Sequence, residues 1–243
     1  LVLDKDLTID GSALAVPVTL SGNGAVRVME VMTDTAVTLH GLVIADGMAD
    51  DDAGGVSPGY GGGIYSQGAL SVVDCTLSDN SAATLGGAIN STGVLTVTRC
   101  TFSHNGGGGI VSFGAVTVVD STFIGNTGGE AGGIASLGAL TVSGSTFSAN
   151  SGLFGGGITY GGPAMVTNST FYSNTAELAG SGIAAITDAA LTLSHCTFSG
   201  NAGSRPEYAG GTISTFGVLT YTHTIVANSL GGDCRLLEGG TVA

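Results

Sequence analysis

Asp74, Arg99 and Asp120 stand at equivalent places in three successive sequence repeats, each one residue before a Cys or a Ser. The same column continues through Gly144, Asn168, His195 and His223. Stacked side by side, a carboxylate–guanidinium–carboxylate row has the chemistry to hold an acidic sugar or a metal ion, with Arg99 as a base. The competing reading is a ladder of ion pairs between neighbouring strands at the surface, worth roughly 0.2–1 kcal/mol a pair. That plainer reading is preferred, because exposed charge ladders commonly form without function. A polysaccharide-cleaving site would also bring clustered Asp ligands and further basic residues, and the whole chain has only five Lys and Arg.

Other residues invite chemistry and meet similar objections. Asp79 and His104 share an exposed slot in adjacent repeats, which suggests a carboxylate–imidazole pair, but no nucleophile stands out among uniform Ser and Thr columns. His195 and His223 read as stacked surface imidazoles without a third ligand for a transition metal. Asp46, Asp50, Asp51 and Asp52 form an acidic stretch that offers oxygen ligands for Ca²⁺, although no EF-hand or nonapeptide spacing is present. A solvated acidic loop is the preferred reading there, and Ca²⁺ is the one cofactor left open. Threonines line two outward columns, Thr96, Thr117, Thr141 and Thr192, and Thr76, Thr101, Thr122, Thr146, Thr170 and Thr197. Flat Thr arrays suit ice or crystalline polysaccharide, yet Thr is also an ordinary outward strand residue. Cys75 and Cys100 share an inward slot in adjacent repeats. Their Cα spacing fits a disulfide, but parallel Cβ vectors strain its closure, so buried reduced thiols are expected. Cys196 falls in the same column and reads as free, whereas Cys234 leaves it.

These residues are placed by an internal repeat of about 24 residues. One element reads GGGI at 61–64, GGAI at 86–89, GGGI at 107–110, AGGI at 131–134 and GGGI at 155–158, fading to GSGI at 180–183 and GGTI at 210–213. A second reads LSVVDCTLSDN at 70–80, LTVTRCTFSHN at 95–105 and VTVVDSTFIGN at 116–126, and recurs to LTLSHCTFSGN at 191–201. Alternation within each unit gives three short strands with apolar residues on one face and Thr on the other. Such strands cannot pack alone. Stacked in register, each pairs in parallel with its equivalent one repeat away, which makes a solenoid with a column of like residues at every slot. Phe102, Phe123, Phe147, Phe171 and Phe198 then share one inward column. Asn80, Asn105, Asn126, Asn150, Asn174 and Asn201 form a buried amide ladder at the turn beyond. Ser66, Ser91, Ser112 and Ser136 form a shorter ladder.

The expected fold is therefore all-β, a parallel β-helix of about nine coils with three short strands per coil, about 43 Å long at about 4.8 Å per coil. One domain covers 1–243, with irregular first coils over 1–59, regular coils over 60–230 and a tail at 231–243. In the first part Leu7–Ile9, Val18–Leu20, Arg27–Val31, Val37–Leu39 and Leu42–Ile44 read as strands, and Asp46–Tyr60 as a protruding loop. Composition excludes several classes. The chain has 44 Gly, a 9% charged fraction and 43% apolar residues, which opposes both helical bundles and disorder. A net charge of −13 opposes nucleic-acid binding, and no apolar run approaches the roughly 18 residues of a membrane-spanning helix. Leu1 and the abrupt end at Ala243 suggest a segment of a longer protein.

The GGAI segment at 86–89, with FSHN at 102–105, FIGN at 123–126, and FSAN, FYSN and FSGN after it, resembles the repeats of polymorphic outer-membrane proteins. More broadly the chain resembles secreted bacterial right-handed parallel β-helix proteins, which share a coil plan with pectate lyases. The resemblance is close over 60–230 and loose before it. It implies right-handed coiling and an extracellular or cell-surface location. It also implies a non-catalytic structural or adhesin-like role, with a surface glycan or a host or neighbour-cell ligand as partner. The alternatives are a polysaccharide-active enzyme or polysaccharide-binding module, with Asp74, Arg99 and Asp120 as its only candidates, and a subunit that associates end to end into filaments.

Overall fold

The computed structural model describes residues 1–50, 59–203 and 211–229, together with the backbone of 234–236 and 241–242. Within these residues three long sheets run the length of the molecule, with ten, ten and nine strands. One coil shows how they are made. Ile110–Ser112 belongs to the first sheet, Val116–Val119 to the second and Thr122–Ile124 to the third. Each strand pairs in parallel with its counterparts one repeat before and after, so that Phe102 lies opposite Phe123 and Ile110 opposite Ile134. A one-residue slip would turn the whole apolar set outward, which is why the register holds from coil to coil.

The core is the set of inward columns. The isoleucines at 64, 89, 110, 134, 158 and 183 are fully buried, as are the five phenylalanines. Each such side chain contributes roughly 1.5–3 kcal/mol by leaving water. The Phe rings stack at centroid distances of 4.6–4.8 Å with interplanar angles of 3–8°, set by the spacing of the strands that carry them. Close packing against these rings explains one glycine in each GGxI motif: a Cβ at Gly133 would meet Phe147 Cδ1 at 2.8 Å.

The Asn ladder is continuous. Each amide from Asn80 to Asn174 donates Nδ2–H to Oδ1 of the next Asn at 2.8–3.0 Å, and the same Oδ1 accepts the backbone N–H of the coil before at 3.0–3.1 Å. The second Nδ2 hydrogen goes to a backbone carbonyl of the preceding coil, as from Asn126 to Phe102 O at 3.0 Å. The Ser column differs from expectation. Ser66, Ser91, Ser112 and Ser136 each donate to the carbonyl two residues onward, Gly68, Gly93, Gly114 and Gly138, so they close their own corners and do not link coils. A later member of that column, Tyr160, reaches past Ala185 to Thr215 with a 2.8 Å hydrogen bond.

In the first part of the chain the strands are Val2–Leu3, Leu7–Asp10, Val18–Ser21, Met29–Val31, Ala36–His40 and Leu42–Ala45, close to those read from the sequence. The acidic stretch needs a correction. Asp46 does not begin a loop: it sits at a coil corner with φ 53°, and Met48–Ala49 forms a strand paired with Ser81–Ala82. Two-residue strands directly after Asn126, Asn150, Asn174 and Asn201 add a narrow fourth sheet that sequence reasoning did not foresee. It comprises Thr127–Gly128, Ser151–Gly152, Thr175–Ala176 and Ala202–Gly203.

Candidate functional site

The column of Asp74, Arg99 and Asp120 lies at the corner between the second and third sheets, not on a strand face. All seven of its members have positive φ, from 48° at His223 to 59° at Gly144. Left-handed backbone disfavours most L-residues, and Gly, Asn, Asp and His tolerate it best. The corner thus selects the residue types that first suggested chemistry, and Arg99 is the exception to that rule.

Arg99 and Asp74 form a two-pronged ion pair. Nε and Nη2 donate to the two carboxylate oxygens, both at 2.7 Å. Asp120 is not joined to them: its carboxylate leans over Gly144, close to where a Cβ would stand. Asp74 instead gains a partner from the opposite direction. His40 Nε2 lies 2.9 Å from Asp74 Oδ2, and His40 Nδ1 lies 3.3 Å from Asp10 Oδ1. Asp10 also accepts the Ser12 backbone N–H at 2.8 Å. Four coils are therefore tied along one corner by the sequence Asp10, His40, Asp74, Arg99.

The charges respond accordingly. Hydrogen bonds from Arg99, and then from His40, hold the Asp74 carboxyl down at about 2. Asp10 is also lowered, chiefly by its bonds to Ser12. Arg99 is raised by Asp74 above its ordinary value, so it has no neutral form to act as a base. A folded-state pKa below that of the unfolded chain means that the folded Asp74 binds its proton less tightly. The stabilisation is then fully present above about pH 4 and is lost as pH falls through about 2. Arg99→Ala should raise the Asp74 midpoint toward the ordinary carboxylate value and shift this acid limb upward. A carboxyl NMR titration of both proteins reads the change, and an unmoved Asp74 midpoint would contradict the pairing.

Beside this cluster lies an open hollow of about 360 Å³, walled by the loop residues Gly11, Ser12, Leu14 and Pro17 and by His40, Gly41, Leu42, Val43, Asp74 and Thr76. Its surface combines carboxylate, imidazole and hydroxyl groups with the apolar edges of Leu14 and Pro17. Sequence reasoning missed Asp10, Ser12 and His40. The available signal was the register of the first two coils, in which Asp10 and His40 both follow an alternating apolar–Thr–apolar triplet and stand opposite each other.

The remaining candidates are not gathered into sites. His104 lies against Gly125, with Nε2 3.2 Å from a Cβ placed there, and no ion pair joins it to Asp79 among the described residues. His195 and His223 do stack, at 4.6 Å and 8°. Of the acidic stretch, Asp46 takes a 3.3 Å bond from Ser21 and stands beyond the Met48–Ala49 strand from Asp50. Asp51 and Asp52 lie outside the described residues. No group of three or more His, Cys, Asp or Glu among the described residues is arranged to hold a metal ion.

Three parallel sheets, coil-to-coil ladders and left-handed corners define a β-solenoid with a polar corner site. The family described as "Right handed beta helix region" matches residues 18–147 and 60–232 of the sequence, and the chain belongs to that family. No curated protein and no solved structure matches it.

Proposed function

We propose that this chain is a non-catalytic binding module of the cell surface or extracellular space, a rigid β-helix whose corner hollow takes a glycan. The observation that carries the reading is the closed pairing of the site: His40 sits between Asp10 and Asp74, and Arg99 is clamped to Asp74 by two bonds. Acid–base catalysis needs a group that exchanges its proton near the working pH. Asp74 is instead fixed as an anion and Arg99 as a cation. Fixed charges and hydroxyls on a stiff corner suit recognition, because little ordering remains to be done on binding. Asp10 and Asp74 accept hydrogen bonds from sugar hydroxyls, while Ser12 and Thr76 both accept and donate. The chain's net charge of −13 favours a neutral glycan over an acidic one. No helix of the described residues is long and apolar enough to cross a membrane.

A glycan array probed with labelled protein tests this. Neutral oligosaccharides should bind above acidic ones, and His40→Ala should abolish the signal without changing the far-ultraviolet circular dichroism. Binding that survives both His40→Ala and Asp74→Asn would place recognition elsewhere on the solenoid.

A further inference from the structure

Cys75 and Cys100 occupy one slot in neighbouring coils, immediately before the registered pair Thr76 and Thr101. Both are free and 2% exposed. Farther along, Ser121, Ser145 and Ser169 fill the same slot as a second ladder. There each hydroxyl accepts the backbone N–H of the coil before, at 3.1–3.2 Å, and donates to the carbonyl two residues back. The thiols copy this pattern. Leu42 N–H points at Cys75 Sγ and Cys75 N–H at Cys100 Sγ, both at 3.4 Å. Serine serves the ladder equally well, so the ladder does not account for two adjacent thiols.

The pair has the properties of a dithiol that reacts. Backbone N–H groups aimed at sulfur favour the thiolate. The hydrogen bond with Cys100 draws the Cys75 thiol below its ordinary value, and Cys75 in turn pushes Cys100 above its own. The corner hollow lies next to the pair: its wall includes Asp74 and Thr76, which flank Cys75, and Leu42, whose N–H meets the Cys75 sulfur.

We propose that Cys75 and Cys100 form a reversible redox site that a small hydroperoxide converts to an intramolecular disulfide. The Cys75 thiolate attacks one peroxide oxygen and the O–O bond breaks. Cys75 becomes a sulfenic acid, and the second oxygen leaves as water or alcohol after taking a proton. The Cys100 sulfur then attacks Cys75 Sγ. The S–S bond forms, the S–O bond breaks, and the hydroxyl leaves as water with the Cys100 proton. Two thiols supply the two electrons that reduce one peroxide. Adjacent strands lie about 4.8 Å apart, inside the Cα range that a disulfide spans. The parallel Cβ vectors strain the bond, and a strained disulfide is readily reduced by external thiol.

Treating the full chain with one equivalent of hydrogen peroxide, followed by intact-mass measurement and peptide mapping, tests the proposal. The expected product has lost two hydrogens, yields a peptide joining positions 75 and 100, and returns to the starting mass with dithiothreitol. Cys75→Ser and Cys100→Ser keep the hydroxyl ladder and fold, and each should abolish the linked peptide. Oxygen addition at either sulfur without a link, a disulfide to Cys196 or Cys234 instead, or an unchanged mass would each overturn it. The wild-type map decides the question even where a variant fails to fold.

Discussion

Asn126→Ala should destabilise the protein by about 2–6 kcal/mol, since two buried donors lose their partner and each such group costs about 1–3 kcal/mol. The amide is at the middle of the ladder and has no exposure to water. Its Oδ1 accepts from Asn105 N at 3.0 Å and Asn105 Nδ2 at 2.8 Å, and its Nδ2 donates to Phe102 O and Asn150 Oδ1, both at 3.0 Å. Truncation orphans two donors of Asn105, while the Phe102 carbonyl stays in the strand ladder and Asn150 Oδ1 keeps the backbone N–H of residue 126. A loss of that size is a large part of the roughly 5–15 kcal/mol that holds a domain folded. Urea denaturation of the two proteins measures it directly. A change below about 1 kcal/mol would mean that water repairs the gap and that the ladder contributes little to stability.

The second large effect is expected at Phe147→Ala, about 3–5 kcal/mol for deleting a buried ring. Phe147 stacks between Phe123 at 4.8 Å and Phe171 at 4.7 Å, so the cavity opens in the centre of a column whose neighbours are fixed by strand register. Phe147→Leu should cost much less, about 1–2 kcal/mol, as a swap of one apolar side chain for another. Leu77 already fills this slot with no exposure. Thermal melts of both variants separate packing from a general intolerance of the site, because only the alanine should show the large loss. Equal losses would indicate that stacking of the rings, not filled volume, sets the cost.

The coil plan was legible because identical columns repeat at every turn. The Phe and Asn columns, the inward Cys slot and the strands of the first two coils were all readable from spacing, since burial on one face imposes period-two alternation. Corners were harder. Nothing in the alternation of LTVTRCTF shows that Arg99 adopts left-handed backbone, and only the occupants of its column, Asp, Gly, Asn and His, carry that signal. The site itself was half visible. Asp74 and Arg99 were singled out, but their link to His40 crosses into the coils where the repeat is degenerate. Asp120 was grouped with them by column alone, and its side chain takes the other direction. Likewise the Ser66 to Ser136 column looked like a coil-to-coil ladder, whereas each hydroxyl finds a nearer carbonyl in its own corner.

The stability of the solenoid lies in its columns, and the recognition chemistry we propose lies at a corner of its first four coils. The two are separable: the ladder and ring column run beneath the sheets, while Asp10, His40, Asp74 and Arg99 are partly exposed above them. Changes at His40 should therefore alter binding without unfolding the solenoid.

The most direct test is calorimetric titration of the strongest neutral oligosaccharide from the array into the wild type and His40→Ala, with chain length and reducing ends analysed in the same samples. Saturable binding to the wild type, at least about tenfold weaker in the variant and with the oligosaccharide recovered intact, is the predicted result; a factor of ten corresponds to about 1.4 kcal/mol. Shortened or newly unsaturated chains would contradict it by making the corner a catalytic site, and equal affinity in both proteins would remove the hollow from recognition.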